Sequence, residues 1–129
     1  MPRPTLLVAE PEPRQALSVR KLVLETGKFN VLTAHSTREA IDLFSLFPNV
    51  SASVLVGGDT IDCDAIAQHI KHSDSKIAVI FLQGRIGAVC HASDHRLASD
   101  EPEKLLDRVR SILGDPREDD AREQHERTA

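Results

Sequence analysis

Apolar residues along the chain fall into short continuous runs separated by amphipathic stretches. Thr5-Leu6-Leu7-Val8-Ala9 is such a run, and it predicts a strand buried on both faces. Glu10-Pro11-Glu12-Pro13 interrupts it, because two prolines cannot continue a central strand. Pro13 suits a first helical turn, Ala16, Leu17, Val19, Leu22, Val23 and Leu24 recur at helical spacing, and Gly27 reads as the stop. The predicted helix covers 13–26. A second strand follows over 29–34. Ser36 or Thr37 caps the next helix, with Glu39 near its third position and an apolar face of Ala40, Ile41, Leu43, Phe44 and Phe47.

The alternation continues. Residues 52–56 form a third strand that Gly57-Gly58 stops, 63–72 a helix with Ala65, Ile66, Ala67 and Ile70 inward, and 76–82 a fourth strand. Pro102 opens a last helix, which Gly114 closes, and its Leu105, Leu106, Val109 and Ile112 share one face. Residues 84–101 are expected to hold a reduced helix and a short fifth strand near His95–Ala98. Strands alternating with helices imply βαβ units with right-handed crossovers and a parallel sheet covered on both faces. The expected fold is α/β: a three-layer αβα sandwich on a five-stranded parallel sheet, with a shortened fourth-helix region. The domain spans 4–114. Residues 115–129 are almost wholly polar and are expected to form a disordered tail.

Composition refines this picture. The 129 residues fit one domain, and with four Phe and no Trp or Tyr the core must be aliphatic. A net charge of −4 argues against the basic stripe that DNA phosphates require, so no nucleic acid is expected. Cys63 and Cys90 are far apart and flanked by no second cysteine, which reads as a reduced, cytoplasmic setting. Neither a signal peptide nor a run of about 20 apolar residues is evident, so no membrane span is expected.

Candidate chemistry is sparse. His69 and His72, and His91 and His95, have spacings that would put a pair on one helix face, but no third zinc ligand accompanies them. Gly84-Arg85-Ile86-Gly87 lacks the spacing and lysine of a phosphate-cradling loop and reads as a turn. No G-x-S-x-G elbow is present, and Cys90 beside His91 is not by itself a catalytic pair. No catalytic residue is assigned and no enzymatic activity is expected.

The order of elements, with Leu6 to Pro13, Val31 to Ala34, Thr37 to Ile41, Ala78 to Leu82 and Lys104 to Val109, resembles the receiver domain of response regulators, a CheY-like, flavodoxin-like fold. The resemblance implies a place in two-component phosphorelay signalling. In that family two acids on the first loop hold Mg²⁺, an Asp ending the third strand accepts the phosphoryl group, a Ser or Thr ends the fourth strand, and a Lys ends the fifth. Here the acid pair aligns with Glu10 and Pro11, the acceptor with Gly57 and the hydroxyl with Gln83. The region of Ala98-Ser99-Asp100 supplies no Lys. Gln83 and Ser99 are thus remnants of switch positions. The resemblance therefore implies a pseudo-receiver without cofactor, binding a signalling partner such as a histidine kinase or an output protein, or a second copy as a homodimer. Two alternatives stand beside it. A shifted register would make Asp59 the acceptor, with Glu10 and Glu12 holding Mg²⁺, although Gly57-Gly58 would then sit inside a strand. A small flavodoxin-like protein would bind a nucleotide or cofactor at the strand ends.

Overall fold

The computed structural model describes residues 3–11, 18–83, 89–97 and 101–117. Strands β1 (Thr5–Ala9), β2 (Asn30–Ala34), β3 (Ala52–Val56), β4 (Ala78–Leu82) and β5 (His95–Leu97) alternate with helices α1 (Val19–Thr26), α2 (Thr37–Leu46) and α3 (Cys63–Ser73), and α4 (Pro102–Leu113) closes the order. The five strands form one sheet in the order β2-β1-β3-β4-β5, parallel throughout. This is the doubly wound arrangement that the pattern of elements predicts. Its order reverses beside β1, so the C-terminal ends of β1 and β3 flank the place where ligands of such sheets sit.

Two cores lie on the two faces, and the strands' two-residue period sorts side chains between them. Leu6, Val8, Val54, Val56, Ile80 and Leu82 face α1 and α4, where they meet Leu24, Leu105 and Val109. Leu7, Ala9, Leu55, Val79 and Phe81 face α2 and α3, where they meet Ala40, Phe44, Ile66 and Ile70. Because both faces are covered, β3 is buried at every position, which is why it reads as an unbroken apolar run. Each fully buried Leu or Ile contributes about 2 kcal/mol relative to exposure.

Several local expectations change. Helix α1 begins at Val19 rather than Pro13, because extended Ser18 is its N-cap and its side chain accepts the Lys21 N–H. Residues 13–17 lie outside the described set. Gly27 does end α1, yet the left-handed residue is Lys28, at φ 73°. Glycine at 27 lets Leu106 of α4 pack close: a Cβ there would fall 2.6 Å from its Cδ1, and that methyl would have to turn aside. Helix α2 is capped by Ser36, which accepts the Glu39 N–H, while Glu39 Oε2 accepts the His35 N–H. Phe47, expected on the buried face of α2, is its C-cap and half exposed. It lines a groove of about 290 Å³ with Leu32, Leu46 and Val50, at the N-terminal end of the sheet.

The connection from β4 to β5 departs most from a regular βαβ unit. Residues 89–94 contain no helix, so among the described residues helical coverage over β4 and β5 on this side comes from α3. Cys90 and Ala92 pack against the same core instead. His91 and His95 accordingly share no helix: one lies in a turn, the other in β5. Cys63 and Cys90, expected to be reduced, are joined by a disulfide with Cα atoms 5.6 Å apart. Spacing along the chain hid this, because β3 and β4 are neighbours and the segments leaving their C-terminal ends come together. No helix among the described residues is long and apolar enough to cross a membrane.

Candidate functional site

The C-terminal ends of the strands bring Glu10, Gly57, Gly58 and Gln83 to one edge of the sheet. Glu10 directly follows β1, and its N–H donates to the Ala34 carbonyl (2.9 Å), which extends the pairing with β2 by one residue. His35 Nδ1 lies 3.1 Å from the Glu10 carbonyl and donates to it. The Glu10 side chain is only 1% exposed. An ionised carboxylate in such a place requires a partner, and α1 supplies it: Arg20 Nη1 donates to Glu10 Oε2 at 3.0 Å. The capping of α1 at Ser18 sets Arg20 in its first turn, within reach of Glu10. Glu10 Oε1 and Arg20 Nε, both buried, have no hydrogen-bond partner among the described residues.

Pro11 lies against the end of β3. A Cβ on residue 58 would fall 2.6 Å from Pro11 Cγ, so glycine at 58 is what permits the proline ring to close onto this strand end. Gly57, at the position aligned with the phosphoacceptor, is half-buried, presents no side chain and donates its N–H to the Leu82 carbonyl (3.0 Å). Gly58 through Ile61 then make a tight turn with a single antiparallel bridge. Asp59 sits in this turn and is exposed. Thr37 ties the turn to α2: its N–H and hydroxyl both donate to the Thr60 carbonyl, and its hydroxyl accepts the Asp62 N–H. Asp62 caps α3 by accepting the Ala65 N–H.

Gln83 follows β4, half-buried, with its N–H donating to the Leu97 carbonyl. Glu12, Ser99 and the Gly84–Gly87 turn lie outside the described residues. Position by position, Glu10, Gly57 and Gln83 stand at the strand ends where the alignment put them.

Among the described residues the donor set does not suit a divalent cation. Mg²⁺ favours octahedral oxygen ligation through one or two carboxylates. Among the described residues the one buried carboxylate already has a guanidinium at 3.0 Å, and no three His, Cys, Asp or Glu side chains converge on a metal position. His69 instead meets Phe44 edge-on, with ring centroids 5.8 Å apart.

Sequence reasoning missed Arg20 and the disulfide. The serine before Val19-Arg20 was the available signal for the first. The presence of two cysteines, an even number, was the only one for the second.

No known family profile matches this chain, and no curated protein does. Solved structures do. The response regulator receiver domain protein from Clostridium thermocellum is 21% identical over 85% of this chain and 94% of its own, with a TM-score of 0.70. The response regulator protein TrrA from Thermotoga maritima, solved in complex with Mg(2+)-BeF, is 21% identical over 85% of this chain and 99% of its own, with a TM-score of 0.67. A CheY-like receiver domain protein from Methanospirillum hungatei JF-1 covers 90% of this chain and 98% of its own at 13% identity, with a TM-score of 0.68. The class is thus a doubly wound parallel α/β domain, and within it the fold is that of response-regulator receiver domains.

Proposed function

We propose that this domain is a receiver-type module of two-component signalling that is not phosphorylated and acts, without enzymatic activity or cofactor, by binding another protein. The observation that carries the reading is the Glu10–Arg20 pair: the buried acid at the end of β1 is already paired with the chain's own guanidinium. Pro11 against Gly58, and Gly57 at the acceptor position, support it. Without an acceptor carboxylate, a lysine or a strand-end hydroxyl, a phosphoryl group would have neither nucleophile nor the cationic clamp that stabilises its charge.

The partner in this reading is a histidine kinase or an output protein, with a homodimer as the other arrangement. A solved complex of histidine kinase ThkA with TrrA contains a chain of the same fold, 21% identical, with a TM-score of 0.64. The proposed location is the cytoplasm, and the net charge of −4 weighs against nucleic acid. Output then depends on which conformation a partner prefers rather than on a phosphate.

Incubation with acetyl phosphate and Mg²⁺, read by intact mass, tests this. The expected result is no phosphoryl adduct, and no amide shift on adding Mg²⁺ with beryllofluoride. An adduct mapped to Asp59 would replace this reading with that of a working receiver. A thermal shift with a nucleotide or flavin would replace it with that of a cofactor-binding protein.

A further inference from the structure

Cys63 is the first residue of α3, and Cys90 lies in the irregular stretch that leads to β5, 27 residues on. The bonded pair is nearly buried, at 6% and 7% exposure, yet its surroundings on the Cys90 side are open: Val89 is 57% exposed and His91 is exposed. Among the described residues, two ties other than packing hold residues 89–92 to the body of the domain. One is the disulfide, and the other is the Ala92 N–H donating to Asp64 Oδ1 at 2.9 Å. The bonds made by Ser93 go back to the Cys90 carbonyl and are local to the stretch. Asp94 is fastened separately, by exchanging hydrogen bonds with Val79 and pairing with Lys71. Among the described residues, breaking the covalent tie would therefore leave 89–92 held by one hydrogen bond and by packing, while β5 keeps its own fastening.

The Cys63 side suits the chemistry. Free amide N–H groups and the positive end of the dipole in the first turn of an 11-residue helix stabilise a thiolate. The neighbouring carboxylates are engaged, Asp62 by the Ala65 N–H and Asp64 by the Ala92 N–H. Disulfides that occur in a reducing compartment are as a rule transient and redox-sensing.

We propose that Cys63 and Cys90 form a reversible thiol–disulfide site that controls the surface around Val89. A dithiol reductant opens it. One reductant thiolate attacks Cys90 Sγ, the Cys63–Cys90 bond breaks, and Cys63 leaves as a thiolate at the helix N-terminus. The second reductant thiol then displaces Cys90 from the mixed disulfide. The reductant ends as a disulfide, and two electrons and two protons end on Cys63 and Cys90. Exchange with an oxidised dithiol runs the same steps backwards. This inference rests on the pair, its loop and the proposed cytoplasmic location, and is independent of the phosphorelay reading.

The test uses the full chain without denaturant, titrated with dithiothreitol, alkylated with iodoacetamide and weighed intact, with amide exchange followed in parallel. Two alkylations are expected. Exchange at 89–92 should rise about tenfold while the NMR amide shifts of β1, β3 and β4 keep their native positions, as local opening requires. Oxidised dithiothreitol should restore the starting state. The double variant Cys63→Ser/Cys90→Ser should show the raised exchange without reductant. Should that variant not fold, the wild-type titration decides alone. Reduction only in denaturant, unchanged exchange at 89–92 after reduction, or loss of the native amide shifts of the central strands would each overturn the proposal.

Discussion

Two regions at the C-terminal edge of the sheet close themselves in different ways. At β1 and β3, closure is non-covalent and internal to the fold: Arg20 neutralises Glu10, and Pro11 covers Gly58. At the β4–β5 connection, where residues 89–94 carry no helix, closure depends on a covalent bond to α3. The first rests on non-covalent contacts between side chains of the domain. The second can be undone by electrons. The strand end at β1 and β3 is held by the domain's own side chains, whereas the β4–β5 connection is held by a bond that a reductant can break.

The largest expected effect comes from removing the covalent closure. A bond between residues 27 apart restricts the unfolded chain, and the loop-entropy relation gives about 3.5 kcal/mol for it. Urea denaturation of Cys63→Ser/Cys90→Ser against the oxidised wild type should show a loss of that order, most of which wild type shares when dithiothreitol is present. A loss under about 1 kcal/mol would mean that the unfolded chain is not what the bond restrains.

The non-covalent closure should respond differently. Arg20→Leu leaves Glu10 buried without its cation, and breaking a buried pair costs up to about 5 kcal/mol. Since the Arg20 side chain is a quarter exposed, about 2–3 kcal/mol is expected. Replacing both residues, Glu10→Leu with Arg20→Leu, should recover most of it, because two apolar groups leave no charge stranded. Urea midpoints of the three variants measure this. If the double variant is as unstable as Arg20→Leu, then Glu10 contributes through its contacts with the sheet rather than through the pair.

What the sequence disclosed follows the same division. The sheet was legible because burial on both faces leaves continuous apolar runs, as at Ala52–Val56 and Ala78–Leu82. Strand ends were legible because Pro11 and Gly57-Gly58 cannot continue a ladder. Helix α4 was read to the residue because proline and glycine bracket it. The start of α1 was misread because Pro13 and Ser18 both offer helix starts, and Ser18 is the one that caps the helix. Phe47 followed the helical period but fell at the C-cap, where the period ends. At the site, the identities at positions 10, 57 and 83 could be read by alignment. The pairings Glu10–Arg20 and Cys63–Cys90 could not, since each joins segments that only the sheet order brings together.

The smallest effect concerns how β5 stays fastened when the neighbouring loop is free. Burial raises the pKa of Asp94, but the hydrogen bonds from Lys71 and the Val79 N–H outweigh it, and the group lies below its ordinary value of 3.8. A carboxyl lowered on folding adds stability that is fully present above its unfolded pKa and is lost as pH falls through the folded one. The contribution of Asp94 should therefore be constant at neutral pH and fade only below about pH 4. Lys71 also donates to the Ile77 and Ser75 carbonyls, so the ammonium keeps partners when the carboxylate is protonated. Because Asp94 is more than a third exposed, solvent screening limits the pair to about 0.5 kcal/mol. An NMR titration following the Val79 amide should show one transition below pH 4, at the same pH in oxidised and reduced protein. A transition that moves on reduction would mean that residues 89–92 and Asp94 open together, and the disulfide would then hold β5 as well as the loop.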